Sequence, residues 1–183
     1  MKQHKLSPQK YIEMRARSLP VYKCLVNEDW KKSMLASVII LRKHVNGNVT
    51  AGLYLVDLFC LGIKDTFFYF NEDEESLMEK SAAHAFIEID YPLAHNIIYA
   101  GHDFAAEFEI QPSKLFSTTK YILEDDDENI PLIHIHTGDE NGNPNLWVDE
   151  SYNYAPILEK LKKHAGEGNY HFFIGSDSEQ VKR

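Results

Sequence analysis

The chain has 183 residues, is 44% hydrophobic and 12% aromatic, and carries a formal net charge of −9. That length and composition suit one domain with a sizeable core and exclude a disordered polypeptide. The acidity argues against loose, salt-dependent binding to nucleic acid while leaving room for a local basic patch.

Ser7-Pro8 is a helix start, a capping hydroxyl followed by proline in the first turn. The helix should run to about Arg17 and stop before Leu19-Pro20. Lys10, Arg15 and Arg17 make it the most basic part of the chain, either an exposed amphipathic face or a docking helix for an acidic protein partner. Val21 to Val26 reads as a short strand, and Asn27 to Lys32 as a turn or short helix around Trp30. Ser37 to Val45 is a strong strand, followed by Asn46-Gly47, a two-residue hairpin signal.

The return strand opens the stretch Ala51 to Asp65 (AGLYLVDLFCLGIKD), the most apolar part of the chain, with Asp57 at its centre. Leu61-Gly62 is the next turn signal, and Ile63 to Phe70 a third strand. These strands form an antiparallel meander. With Asn46-Gly47 as the loop, Arg42, Ile40, Val38 and Ala36 face Ala51, Leu53, Leu55 and Asp57. With Leu61-Gly62 as a second two-residue loop, Asp57 lies opposite Thr66 with Lys64 as a diagonal neighbour. Both faces of the second strand are apolar, so it is an interior strand covered on each side. Gly52 within it points to a bulge or a close backbone approach.

The acidic start Asn71 to Glu75 leads into a helix reaching toward Ile87. Asp90-Tyr91-Pro92 opens a clearer helix to about Glu109. Its apolar face is Leu93, Ile97, Ile98, Gly101, Phe104, Ala105 and Phe108, with Gly101 marking close packing. His95, Tyr99 and His102 form a flanking stripe. Ser117 to Leu123 is a short helix, and the acidic run Glu124 to Glu128, like Glu72 to Glu75, is a solvated segment. Ile130 to His136 and Leu146 to Val148 form a second hairpin, with Ile133 and Ile135 inward and His134 and His136 outward beside Leu132. Pro156 to Ala165 is a last helix whose basic end suits its dipole. Tyr170 to Ile174 is a last strand, and 176–183 a frayed tail.

No Walker loop, Rossmann glycine pattern, HExxH, paired CxxC or GxSxG is present. A carboxylate inside an apolar strand requires a partner, and a buried Asp57–Lys64 pair could tune either group for acid–base work. The long helix must pack on the meander, so His95 or His102 could join Asp57 as a base couple. His134 and His136, two apart on a strand, could share a metal if an acid or histidine from elsewhere completed the site. Cys60 falls on the face away from Asp57, and both it and Cys24 stand in apolar company as reduced thiols do, which implies a cytoplasmic protein. The first ten residues lack the apolar core of a secretory signal, and no apolar run is long enough to span a membrane.

The phrase Leu55-Val56-Asp57, Cys60-Leu61-Gly62 and Lys64-Asp65 (LVD-x-x-CLG-x-KD), with LAHNIIYAGHDFA downstream, resembles an uncharacterised bacterial protein family without an assigned activity. The resemblance covers roughly residues 10 to 150 and implies a bacterial cytosolic protein. Phe172 to Ser178 resembles the first strand of ribonuclease-H-like nucleases, in which the aspartate binds a divalent metal. That family places its other carboxylates downstream, where only five residues follow Ser178.

The sequence therefore predicts a single α+β domain over residues 1–183, with a central antiparallel meander packed by two helices on one side. The N-terminal helix over 1–18 lies at its periphery, and a second hairpin completes the fold. Two functions fit: a non-catalytic binding or accessory module with a protein partner, or a small hydrolase- or nuclease-like enzyme. The enzyme would use Asp57, Lys64, His95 and His102, with or without a metal. No cofactor is identified.

Overall fold

A computed structural model describes residues 6–81, 85–149 and 151–175. The hydroxyl of Ser7 accepts the amide of Lys10, and helix α1 (Pro8–Arg15) starts where the Ser-Pro pair predicts. It continues as a 3-10 turn to Ser18, and it inserts the fully buried Ile12 and Ala16 into the main core. Strands β1 (Val21–Asn27), β2 (Leu35–Lys43), β3 (Val49–Asp57) and β4 (Gly62–Glu72) run as an antiparallel meander. A one-turn helix α2 (Trp30–Ser33) joins the first two. A fifth strand, β5 (Phe86–Ile89), pairs with the other edge of β1, so the sheet order is β4-β3-β2-β1-β5. The α+β fold with a central antiparallel meander is present, and the sheet is wider than the meander alone.

The register differs from the expected one by a single residue. His44 N–H donates to Asn48 O at 2.8 Å and Gly47 N–H to His44 O at 3.0 Å. The β2–β3 loop is thus Val45–Gly47, closed by Gly47 at φ 91°, a conformation that favours glycine. Arg42, Ile40, Val38 and Ala36 therefore pair with Thr50, Gly52, Tyr54 and Val56. A one-residue slip turns every side chain to the other face. Asp57 lies opposite Leu35 rather than Ala36, and opposite Gly62 rather than Thr66. The β3–β4 loop is Leu58–Leu61, longer than the Leu61-Gly62 turn that was expected.

Asp73 caps helix α3 (Glu74–Lys80) by accepting the amide of Ser76. The helix is shorter than the expected 71–87 span. Phe86–Ile89 instead becomes β5, since its aromatic and β-branched residues suit the open edge of β1. Helix α4 (Tyr91–Glu107) is capped by Asp90 and buries Ile97, Ile98, Gly101, Phe104 and Ala105. The two helices lie on opposite faces of the sheet and not on one. The α4 side holds Val38, Ile40, Tyr54 and Val56. Leu77 and Met78 of α3 pack over Leu25, Ile39 and Leu41 on the other. Gly101 is where α4 comes closest to the sheet: a side chain there would run into Val56 and approach Gly62.

Helix α5 (Phe116–Thr119) runs into a 3-10 turn ending at Ile122. The expected strand over 130–136 is absent, although its alternation is as read: Ile135 is buried, Ile133 half-buried, and His134 and His136 exposed. The segment lies extended across α4, where Asn96 serves as its backbone partner. Asn96 Nδ2 donates to Pro131 O at 3.0 Å, and Ile133 N–H donates to Asn96 Oδ1 at 3.0 Å. With that segment engaged elsewhere, no second hairpin forms. Strand β6 (Asn145–Val148) is followed by helix α6 (Ala155–His164) and pairs in parallel with β7 (His171–Ile174). The helix supplies the crossover that a parallel pair requires. This unit has its own core, in which Leu146, Val148 and Leu161 meet Cys60, Leu61, Phe104 and Phe108. The tail over 176–183 lies outside the described residues.

Candidate functional site

Asp57 ends β3 and is 8% exposed. Its Oδ1 accepts the amides of Phe59 at 2.9 Å and Cys60 at 3.1 Å, the local hydrogen bonding by which aspartate closes a turn. Burial pushes its carboxyl up from the ordinary value, opposed by these amides and by the nearby Lys64 charge. Among the described residues Asp57 makes no ion pair, so Lys64 is a neighbour rather than a bonded partner. Both line a small cavity of about 60 Å³ with Phe59 and Trp147. Thr66 is occupied elsewhere, donating to Leu53 O at 2.7 Å and meeting Thr119 Oγ1 at 3.1 Å. The loop that Asp57 shapes is a junction: Leu58 N–H donates to Met34 O, Gly138 N–H to Leu58 O and Asn145 N–H to Phe59 O. Cys60 contributes its amide to Asp57, while its fully buried thiol belongs to the second core, where burial raises its pKa.

His95 is 1% exposed and sits beneath the acidic segment that follows Leu123. Its Nε2 lies 3.3 Å from Glu124 O and its Nδ1 3.9 Å from Asp126 Oδ1. Burial lowers its pKa, against the raising effect of Glu124 and Asp126. The same segment is held by Tyr91, whose hydroxyl accepts Glu124 N–H at 2.7 Å. The buried Arg42 guanidinium donates to Ile122 O and Leu19 O, both at 2.6 Å, and pairs with Glu124 at 2.5 Å. The stripe along α4 thus splits. His95 lies against the acidic segment at Glu124 and Asp126, whereas His102, two turns on, pairs with Asp103 at 2.8 Å and faces a large cavity. The structure places Asp57 and Lys64 together, and neither histidine lines their cavity.

The cavity at His102 has a volume of about 650 Å³ and is walled by Tyr99, Phe116 and Tyr121, with Arg17, Lys114 and Lys120 around it. Arg17 donates to Leu123 O at 2.6 Å and pairs with Asp125 at 2.8 Å. A second cavity of about 520 Å³ lies across the ridge Gln111–Lys114, which contributes to both. Its wall includes Leu61, Ile63, Ile110 and Ile157, and its cations are Lys64, Lys114 and Lys160. The ridge is fixed by Ser113 N–H donating to Ile63 O at 2.9 Å. The carboxylates along this double cleft are Asp65 and Asp125, so cations prevail there. Among the described residues Lys64, Lys114 and Lys120 make no ion pair, and each is exposed.

His134 and His136 are exposed on the segment crossing α4. Among the described residues no group of three histidine, cysteine or acidic side chains is placed to hold a metal ion. No helix of the described residues is long and apolar enough to cross a membrane. Comparison with protein-family models, with curated proteins and with solved structures finds no match for this chain. The cleft was not apparent in the sequence. Arg17 stood out in the basic first helix and Lys64 beside Asp57, but Lys114, Lys120 and Lys160 are scattered through three further segments with no periodic signal.

Proposed function

We propose that this protein is a non-catalytic binding module that takes an anionic partner in the double cleft astride Gln111–Lys114. One observation carries the reading. In a chain of net charge −9, Arg17, Lys64, Lys114, Lys120 and Lys160 line two adjoining cavities. Arg17 is paired with Asp125, but Lys64, Lys114 and Lys120 make no ion pair among the described residues, so they repel one another in the free protein and an anion relieves that repulsion. The basic first helix enters this reading through Arg17 alone. The enzymatic alternative has less support, because Asp57 spends its carboxylate on turn amides and His102 faces a different cavity. A bacterial cytosolic setting accords with the LVD-x-x-CLG-x-KD resemblance and with the free, buried Cys24 and Cys60.

The test is fluorescence anisotropy with labelled decaglutamate as the probe. Binding is expected at low salt, weakening as salt is added, and is expected to disappear in the double variant Lys114→Glu/Lys120→Glu. Lys31→Glu, a charge reversal at a residue that lines neither cavity, should bind as the unmodified protein does. No binding by the unmodified protein, or equal loss in the Lys31 variant, overturns the reading.

A further inference from the structure

We infer that the partner is an acidic peptide segment carrying one apolar anchor residue, with the anchor seated in the cavity walled by Leu61, Ile63, Ile110 and Ile157. This rests on the anion-binding reading of the cleft and adds the chemical class of the ligand. The two halves of the cleft differ in character. The half at α6 is floored by the buried Leu61, Ile63 and Ile110, with the half-buried Ile157, the exposed Tyr152 and the cations Lys64 and Lys160 around them. The half at α5 presents Arg17, Lys114 and Lys120 around aromatic rings. Lys114 belongs to both, so a ligand touching both halves must cross the ridge. A small anion would fill one half, whereas an extended peptide spans the two with side chains directed to each.

The walls also discriminate between polyanions. A single-stranded nucleic acid needs aromatic faces on which bases stack. Tyr121 has Arg17 5.5 Å and Lys120 5.3 Å from its ring centroid. Tyr99 and His102 are both packed against Phe116, at 6.4 and 5.4 Å between centroids. These rings are already engaged, and the aliphatic half contributes one ring, Tyr152, where a run of successive bases needs several. It does offer a place for a leucine-sized side chain, and the cations around it select for carboxylates on either side of that residue.

The experiment compares three labelled probes at one salt concentration: an acidic peptide with a single central leucine, decaglutamate and oligothymidylate. The leucine-bearing peptide is expected to bind about tenfold tighter or more than decaglutamate, the gain that burying one aliphatic side chain supplies. Ile157→Ala should cut that gain, and Lys31→Glu, at a residue that lines neither cavity, should keep it. A photo-leucine at the anchor position gives a readout independent of any variant's folding, and its cross-links are expected at residues 61–63, 110 or 157. Equal affinity of the two peptides, or cross-links elsewhere, overturns the anchor while the cleft reading stands. Tighter binding of oligothymidylate assigns the cleft to nucleic acid instead. Failure of all three probes removes the cleft reading itself.

Discussion

Asp57 shows how one residue can be conspicuous in a sequence and still be misassigned. Its setting among Leu53, Tyr54, Leu55, Val56, Leu58 and Phe59 announces a carboxylate that needs partners, and the structure supplies them from the amides of Phe59 and Cys60. Those donors stand two and three residues along the chain, so the signal was local. It was obscured by assigning the turn to Leu61-Gly62, which kept Asp57 paired within the strand. The consequence for stability can be given a sign. Burial raises the folded-state pKa of Asp57, so its favourable contribution belongs to the protonated form. That contribution is present below the unfolded carboxyl value and is lost as pH rises through the folded one. In the ionised form the charge itself is a cost, while the oxygen acceptor is a benefit. Asp57→Asn keeps the acceptor and drops the charge, so its melting temperature at pH 7 should equal or exceed that of the unmodified protein. The difference should shrink as pH is lowered through the folded carboxyl value. Asp57→Ala strands two amides and should cost about 1–3 kcal/mol in denaturant melts. A large loss in the Asn variant would mean that the charge, and not the acceptor, holds the turn.

At the scale of elements, caps and periodicity were the readable part. Ser7 and Asp90 start their helices as expected, and the apolar face of α4 is the one its spacing draws, with Gly101 at the tightest point. Gly101→Ala should therefore destabilise the fold by about 1–3 kcal/mol through overpacking against Val56. This can be read as a lowered urea midpoint with an unchanged slope, and an unaffected midpoint would refute the close approach. What escaped the sequence was partnership. Residues 130–136 alternate as a strand does, yet alternation reports only that one side is buried. That the hydrogen-bond partner is the side chain of Asn96 depends on where α4 lies, which no local pattern encodes. The parallel pairing of β6 with β7 follows from the same cause. Likewise, the length of the β2–β3 loop decided the register of the whole meander, and a single residue there reversed every face.

For the molecule as a whole, two cores meet at the β3–β4 loop. The first lies between the sheet, α1, α4 and α5, and the second joins β6, α6 and β7 to Cys60, Leu61 and the end of α4. Net charge described the molecule fairly but concealed its distribution, because the cations of the cleft come from segments distant in sequence and brought together only by this arrangement. The aliphatic half of the cleft lies on the seam: Leu61 and Ile63 stand on the sheet side, Ile157 and Lys160 on α6. The depth of that pocket is therefore a thermodynamic variable as well as a shape. Whenever the small C-terminal unit opens by itself, the pocket ceases to exist. Regions with smaller cores open at lower free energy than the central sheet, so amide hydrogens of Leu146–Val148 and of α6 should exchange faster than those of β2 and β3. A ligand that bridges the seam should slow the former and leave the latter unchanged. Uniform protection across both would mean that the two cores unfold as one. With the pocket built across the seam, occupancy of the cleft and the integrity of the C-terminal unit should be two readings of a single equilibrium.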